Sequence, residues 1–590
     1  MNARWQVKPH DSARIARLAH DAGLPPLIAQ MLLNRGIEVA EVASAFLEAK
    51  LTGLHDPETL PGAVEAAERI VAAVRAQKKI IIYGDYDVDG VCGTSILWGC
   101  LRLAGAKLVD YYIPHRVEEG YGVSAEALRK LVHESNADLI VTIDCGISAV
   151  SEAELARELG VEYIVTDHHT IGLELPGADV LVHPRLEGSR YPFGDLCGAA
   201  VAFKLAWQIA KGFGDGRKAS PALRDYLVRS IGLVAMATIA DVVPLGDENR
   251  ILVRHGLNGL FKQPSEGVRA LMEVSGCLGR KRLSSGNIGF NMAPRINAAG
   301  RLERAMRAVE LLTTEDTAIA REIAAELDQY NVRRQEIEHK IVAEAHEMIA
   351  AQGGISGRGA IVLGHEGWHP GVIGIVASRL VEVYHRPTVV VALNGDIGQA
   401  SARSIPGFNL YEAIHHCSEG LLSFGGHAAA AGLRLPAELL PVFATRFDEH
   451  CRDILTVEQL RKILYIDAEV TLDMLTPKVV EAFDQLEPHG IGNPRPLLMI
   501  TGAKVLGEPR VVGERKNHLQ LRLMQGSTIT KAIGWNLAER GKVLTTNSLC
   551  SFVFHPSINE WNGRREVQLE IRDFQLDEAI NHVQPQTRTA

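Results

Sequence analysis

The 590-residue chain has no CxxC pair, few aromatic residues (5%) and no long apolar run. Its nearest approach to such a run, Ile231 to Ala240, is far shorter than the ~20 residues that span a bilayer, so no membrane insertion is expected. The opening residues, Met1-Asn2-Ala3-Arg4-Trp5-Gln6-Val7-Lys8, lack the apolar core of a secretory signal, so export is not expected. The eight cysteines, Cys92, Cys100, Cys145, Cys197, Cys277, Cys417, Cys451 and Cys550, are scattered and sit mostly in apolar company. They read as reduced core residues, and a cytoplasmic location is expected.

What is present is ordinary for a folded chain: 46% hydrophobic and 23% charged residues, with a mean hydropathy of +0.03. The length exceeds what one core organises, so three or four domains of a soluble protein are expected. A net charge of -9 does not exclude a nucleic-acid partner, because charge is segregated along a chain and local patches decide.

From Lys79 short apolar runs alternate with helical patterns. Ile80-Ile81-Ile82-Tyr83, Leu108 to Ile113, Leu139 to Ile143, Tyr163 to Val165 and Val180 to Val182 read as strands. Val91 to Ala104, Ser124 to Glu134 and Ala149 to Leu159 read as helices between them, the rhythm of a doubly wound α/β domain. A long Ala- and Glu-rich helix is expected from about Glu315 to Ala351, with Ile323, Leu327, Ile337 and Ile341 on its apolar face. Gly353-Gly354-Ile355-Ser356-Gly357 breaks it, and a second α/β unit begins at Ala360-Ile361-Val362-Leu363 and runs to about Cys451. From Ile466 to Leu576, short strands at Leu497 to Ile500, Leu519 to Leu523, Leu549 to Phe554 and Val567 to Ile571 suggest a small β-barrel of the oligonucleotide-binding kind, or equally a small sandwich. The expected division is an N-terminal helical segment (1–55), a catalytic domain (56–314), the connecting helix (315–352), the second α/β domain (353–455), the barrel (456–578) and a polar, disordered tail (579–590).

The chemistry is concentrated at strand ends. Tyr83-Gly84-Asp85-Tyr86-Asp87-Val88-Asp89-Gly90 places three carboxylates at alternate positions after an apolar strand, where an extended chain puts them on one face. Such crowding is made favourable by a hard divalent cation. A Ca²⁺ loop begins similarly, but Val91-Cys92-Gly93-Thr94-Ser95-Ile96-Leu97 lacks the later Glu that such a loop requires. Asp144 ends Leu139-Ile140-Val141-Thr142-Ile143, and Asp167-His168-His169 ends Tyr163-Ile164-Val165-Thr166. Ligands at the carboxyl ends of parallel strands converge on one crevice, so the recurrence outweighs any single motif. Asp241, ending Ile239-Ala240, could by itself be a structural cap.

With the motifs Tyr83 to Gly90, Thr142-Ile143-Asp144-Cys145-Gly146, Asp167-His168-His169, Asp241-Val242-Val243-Pro244-Leu245 and Gly425-Gly426-His427-Ala428-Ala429-Ala430-Ala431-Gly432, nearly the whole chain resembles the RecJ-type single-strand-specific exonucleases of the DHH phosphoesterase superfamily. The resemblance implies a DHH domain, a connecting helix, a DHHA1 domain and an OB-fold barrel. It implies that Asp87 and Asp89 serve different metals, that Asp144 bridges them, and that His168 and Asp241 complete the shell. Asp85 stands where some relatives place another ligand. Two divalent cations would activate water and polarise a phosphate for phosphodiester hydrolysis, and a mixed carboxylate and imidazole shell suits Mn²⁺ or Mg²⁺. By the same resemblance His169 faces the scissile phosphate, Arg116 and Arg295 lie near the 5′ end, and the polarity is 5′ to 3′. Single-strand-binding protein, a helicase and recombination or repair factors are implied partners.

Local basic runs fit a DNA backbone, although many such runs are only solvated faces. One holds Arg280, Lys281, Arg282, Arg295, Arg301, Arg304 and Arg307; the other, on the expected barrel, holds Lys504, Arg510, Arg515, Lys516, Arg522, Lys531, Arg540 and Lys542. Trp535 and Trp561 are candidates for base stacking or for the core. In the second α/β unit, Trp368 to Arg379, Ser401-Ala402-Arg403-Ser404 and the Gly425, Gly426, His427 loop offer close backbone approach and donors to phosphate. The rival readings are a DHH phosphodiesterase for short RNA or cyclic dinucleotides, which generally lacks a barrel, and a non-catalytic DNA-binding scaffold, which would have lost its ligands.

Overall fold

The computed structural model describes residues 3–116, 119–120, 122–561 and 564–577. The tail expected at 579–590 lies outside these. Among the described residues no helix is long and apolar enough to cross a membrane.

The chain folds as two compact units, one of Leu51–Val243 with Asp247–Arg461, the other of Met1–Lys50, Pro244–Gly246 and Lys462–Ala590. The first begins with a five-stranded, all-parallel sheet in the order Val109–Tyr112, Ile80–Gly84, Leu139–Ile143, Glu162–Thr166, Val180–Val182. Ile80–Gly84 and Leu139–Ile143 are buried along their whole length, which is why they read as unbroken apolar runs rather than alternating ones. Numbered along the chain, the strand order is 2-1-3-4-5. The connection reverses direction between Ile80–Gly84 and Leu139–Ile143, and the crevice of a doubly wound sheet opens at the carboxyl ends of such a pair. Asp85 and Asp144 are the residues that follow those two ends.

The helix Val88–Leu103 descends from this crevice and is buried on nearly every side. Its glycines permit that: a Cβ on Gly93 would sit 2.5 Å from the Ile143 Cγ2, and one on Gly90 would sit 2.4 Å from the Asp85 carbonyl oxygen. Beneath it the helix Gly198–Gly212 carries Lys204, fully buried, which forms an ion pair with the equally buried Glu248 and donates to the His55 carbonyl at 2.6 Å. Glu248 also accepts from the Tyr191 hydroxyl and the His55 amide.

The 35-residue helix Thr317–Ala351 starts at an Asp316 cap, whose carboxylate accepts from the Ala318 and Ile319 amides. Its C-terminal half packs Ile341, Ala345 and Ile349 into the core of a second sheet. That sheet runs Ser423–Gly426, Ala430–Pro436, Ile397–Arg403, Thr388–Asn394, Ile361–Glu366, parallel only between the last two.

In the other unit, Leu498–Val505, Leu549–Trp561, Arg564–Leu576, Thr528–Gly534 and His518–Gln525 pair in sequence, and His518–Gln525 returns to Leu498–Val505 through Lys504↔Met524 and Val505↔Leu523. This ring, with one parallel pairing between Thr528–Gly534 and Arg564–Leu576, is an OB-like barrel and not a sandwich. The N-terminal helices Ser12–Asp21, Pro26–Leu33 and Ala40–Glu48 share the barrel's core, and Arg4–Val7 pairs in parallel with Ile463–Ile466.

Substituting Lys204→Met strands the buried Glu248 carboxylate, and breaking a buried pair in this way typically costs about 3–5 kcal/mol. The denaturant midpoint of that unit, followed by circular dichroism, is expected to fall accordingly; an unchanged midpoint would show that the pair contributes nothing.

Candidate metal centre

Each acidic residue of the crevice is placed by a local device. Asp87 caps the helix Val88–Leu103, accepting from the amides of Asp89 at 2.8 Å and Gly90 at 3.3 Å. Asp89, in the first turn, is aimed across the crevice at the N-terminus of the helix Gly198–Gly212. There its two oxygens accept from the amides of Gly198 at 2.6 Å and Ala199 at 2.7 Å. A helix N-terminus stabilises an anion by its exposed amides and dipole. Gly198 has no alternative: a Cβ there would lie 2.5 Å from Asp144 Oδ1. Asp144 itself adopts a left-handed backbone, φ 63°, a conformation that aspartate tolerates better than most residues. Asp241 ends the helix Pro221–Ala240.

These devices bring the ligands together. His168 Nε2 lies 3.1 Å from Asp144 Oδ1, 3.6 Å from Asp241 Oδ2 and 3.7 Å from Asp89 Oδ2. Three groups of donor atoms lie within 4.8 Å of one another: Asp85, Asp87 and Asp144; Asp89, His168 and Asp241; and Asp144, His168 and His169. Asp144 is common to two of them. Among the described residues, Asp85 Oδ1, Asp144 Oδ1 and His168 Nε2 are buried and have no hydrogen-bond partner, a costly state for polar atoms. Carboxylate oxygens and an imidazole nitrogen so disposed fit divalent cations of the Mn²⁺ or Mg²⁺ kind.

The electrostatics agree. Burial and then Asp87 raise the Asp85 carboxyl well above its ordinary range, burial and Asp89 raise that of Asp87, and burial and Asp89 raise that of Asp144. Asp241 is pushed up to about 9 by burial and by Asp89 and Asp87. Burial lowers His168, keeping it neutral as a ligand must be. His169 behaves oppositely: burial disfavours its charge, but Asp167 accepts from its Nδ1 at 2.7 Å and raises it to about 9. Asp167, although buried, is lowered to about 2 by His169 and by the amides it accepts from. Those amides are His168 at 2.7 Å, His169 at 3.1 Å and Ile147 at 3.0 Å.

A second set of charges crowds the same cleft. Arg301 is lowered to about 9 by burial and then by Arg116 and Arg403, and Arg403 is lowered by burial and Arg116. The Arg116 guanidinium rests 4.8 Å from the Tyr86 ring centroid. Arg301 donates to the Gly371 carbonyl at 2.9 Å, and Arg403 to Ser401 Oγ at 3.1 Å and the Ala402 carbonyl at 2.8 Å. Gly374, at the start of the helix Ile373–Tyr384, approaches this pair so closely that a Cβ would lie 2.9 Å from Ser401 Oγ. Three guanidiniums, a hydroxyl and a helix N-terminus together offer an anion site.

Other residues expected at DNA have partners within the protein. Arg295 donates to the Asn291 and Val274 carbonyls and pairs with Asp328 at 2.8 Å. Arg379 pairs with Glu338 at 3.1 Å and Glu382 at 3.3 Å. Arg307, Lys531, Arg540 and Lys542 also have acidic partners. Gly425, Gly426 and His427 lie on an exposed hairpin, closed by a bond from the His427 amide to the Ala430 carbonyl at 2.8 Å. On the barrel Arg510, Arg515, Lys516 and Arg522 are exposed, as is Trp535, whose ring meets His518 edge-on at 4.8 Å. The Trp561 side chain lies outside the described part.

Sequence reasoning gave no role to Asp167, although an acidic neighbour that orients a functional histidine is a readable signal. Nothing signalled Asn297, whose side chain accepts from the Val88 amide at 3.1 Å, or the Gly198 and Ala199 amides.

A 2-1-3-4-5 sheet with this acidic and histidine cluster at its switch point has the architecture of the DHH class, and family models match accordingly. They are the DHH family N-terminal domain over 79–238, the DHHA1 domain over 357–453 and the RecJ OB domain over 466–573. The chain is 40% identical to the single-stranded-DNA-specific exonuclease RecJ of Bacillus subtilis, over 98% of its own length and 71% of that protein's. It is 34% identical to the Escherichia coli protein of the same name, over 93% and 96%. The crystal structure of RecJ in complex with Mn²⁺ from Thermus thermophilus superposes with a TM-score of 0.82 at 33% identity, over 97% of this chain and 79% of that one. A structure of the same protein with Mg²⁺ superposes with a TM-score of 0.77. The chain belongs to the RecJ family.

Without metal, Asp241 makes stability depend on pH with a definite sign. An unfolded aspartate titrates near ~3.9, so the folded state, with Asp241 near about 9, holds the extra proton between those values. Stability is therefore lost as pH rises through that window. In EDTA, wild type is expected to melt below Asp241→Asn by a margin that grows from about pH 5 to about pH 9, and saturating Mn²⁺ is expected to reverse the order because wild type binds it more tightly. A margin independent of pH would contradict the crowding.

Proposed function

We propose that the chain is a single-stranded-DNA-specific exonuclease that hydrolyses phosphodiester bonds with two divalent cations and works from the 5′ end. The observation that carries this reading is the position of Asp144, which belongs to the Asp85 and Asp87 donor group and lies 3.1 Å from His168 of the Asp89 and Asp241 group, beside a cluster of three arginines. Asp85, Asp87 and Asp144 would hold one cation, and Asp89, Asp144, His168 and Asp241 the other. When bound, such a pair supplies Lewis acidity that acidifies water and neutralises charge on the phosphate.

The chain's own groups do the rest. Asp167 orients His169 through its Nδ1 and favours the protonated ring, which as an imidazolium would donate to a non-bridging phosphate oxygen as negative charge accumulates there. Arg116, Arg301 and Arg403, which repel one another, favour an anion among them, and a terminal phosphate carries more charge than an internal one. Anchoring a terminus in that position presents the first internucleotide bond to the acidic cluster and makes the cut exonucleolytic. Arg116 and Arg301 come from the part of the chain before the long helix Thr317–Ala351 and Ser401 and Arg403 from the part after it, so both parts would grip the end. The closed barrel with its exposed basic residues and Trp535 supports a polymer substrate over a dinucleotide. The resemblance extends the reading to single-strand-binding protein and a helicase as partners in cytoplasmic recombination and repair.

Digestion of single- and double-stranded DNA labelled at either end tests the reading. The expected outcome is release of 5′-terminal mononucleotides from single strands only, abolished by EDTA. Arg403→Ala removes charge-assisted hydrogen bonds worth about 1.5–3 kcal/mol, so kcat/KM on 5′-phosphorylated strands is expected to fall roughly 10- to 150-fold. Release from the 3′ end, or activity confined to dinucleotides, would contradict the proposal.

A further inference from the structure

We infer that His183 is a positioning residue for the reaction, holding His169 through its backbone. The inference rests on the role proposed above for His169. The strand Val180–Val182 lies at the edge of the sheet in register with Glu162–Thr166, with Thr166 opposite Val182. The next residue, His183, is thereby set beside Asp167, whose amide donates to the Val182 carbonyl at 3.2 Å.

The His183 ring is fully buried and both nitrogens are engaged. Nδ1 lies 3.0 Å from the Arg185 amide and Nε2 lies 2.8 Å from the His169 carbonyl. An amide can only donate and a carbonyl can only accept, so Nδ1 carries no proton and Nε2 carries one. The geometry admits a single neutral tautomer, and the ring acts as a fixed strut between the turn at 183–185 and His169.

This strut complements Asp167. Asp167 holds the His169 amide and ring, and His183 holds the carbonyl of the same residue. The backbone of His169 is thus clamped on both sides, in a segment that leaves the sheet for a loop running to the strand Val180–Val182. Tilting that peptide would turn the imidazole relative to Asp144, whose Oδ1 is 3.8 Å from His169 Nδ1. Small misplacements of reacting groups cost large factors in rate, and loss of a residue that orients a site histidine typically costs about 10- to 100-fold. His183 is sealed from solvent and makes no substrate contact, so the loss belongs in kcat rather than in KM.

The test compares His183→Phe, which keeps a ring in the cavity, with His183→Gln, whose amide can donate towards the His169 carbonyl, each alone and combined with His169→Ala, on 5′-phosphorylated single strands with Mn²⁺. The expected result is a fall in kcat of about 10- to 100-fold for His183→Phe, little change in KM, and substantial recovery in His183→Gln. In the His169→Ala background His183→Phe is expected to cost almost nothing further, because two residues acting as one unit are not additive. Wild-type kcat in a folded His183→Phe protein, a Gln variant no better than Phe, or full additivity with His169→Ala would each overturn the inference. Full activity in His169→Ala alone would instead remove the role of His169, and the inference with it.

Discussion

Five aspartates, Asp85, Asp87, Asp89, Asp144 and Asp241, converge on one crevice from which water is largely excluded, and this crowding is the constraint on which the rest of the site depends. Two like charges 4 Å apart repel by about 4 kcal/mol at the effective dielectric of a protein surface, and burial adds to that. The fold meets the repulsion with fixed partners where it can. Asp89 receives two helix amides, Asp87 caps a helix, and Asp167, just outside the cluster, is neutralised by His169. Asp85, Asp144 and His168 retain buried atoms without hydrogen-bond partners among the described residues, and on the proposed reading divalent cations complete the arrangement.

The arginines opposite obey the same logic with the sign reversed. Burial, with Arg116 and Arg403 nearby, lowers the basicity of Arg301, and burial with Arg116 nearby lowers that of Arg403; on the proposed reading an anionic strand end would relieve them. On the proposed reading a phosphodiester substrate would answer both problems, with a charged terminus for the arginines and a scissile phosphate for the cations. The helix Ala293–Leu302 links the two sets. Its Asn297 holds the Val88 amide beside Asp87, a Cβ on Gly300 would strike the Tyr86 carbonyl at 2.4 Å, and Arg301 reaches the Gly371 carbonyl, just before the helix Ile373–Tyr384.

Much of this was legible in the sequence because the signals are local. Three carboxylates at alternate positions after Ile80-Ile81-Ile82-Tyr83, and Asp144 and His168 after equally apolar runs, follow from the rule that ligands gather at the carboxyl ends of parallel strands. Asp241 was ambiguous alone because a helix end often carries an aspartate; its proximity to His168 is a tertiary fact. The carboxylate partners of Arg295 and Arg379, Asp328 and Glu338, were not legible, since a basic residue reads the same in sequence whatever it pairs with. Pairings between distant segments were equally invisible: no pattern announces that Arg4–Val7 lies beside Ile463–Ile466, or that the barrel closes through Lys504 and Val505.

On the proposed reading Asp144 would hold two cations at once. Anomalous diffraction at the manganese edge from crystals grown with Mn²⁺ tests it directly. Two peaks about 4 Å apart are expected, one bounded by Asp85, Asp87 and Asp144 and the other by Asp89, Asp144, His168 and Asp241. A single peak, or two peaks without Asp144 between them, would contradict it.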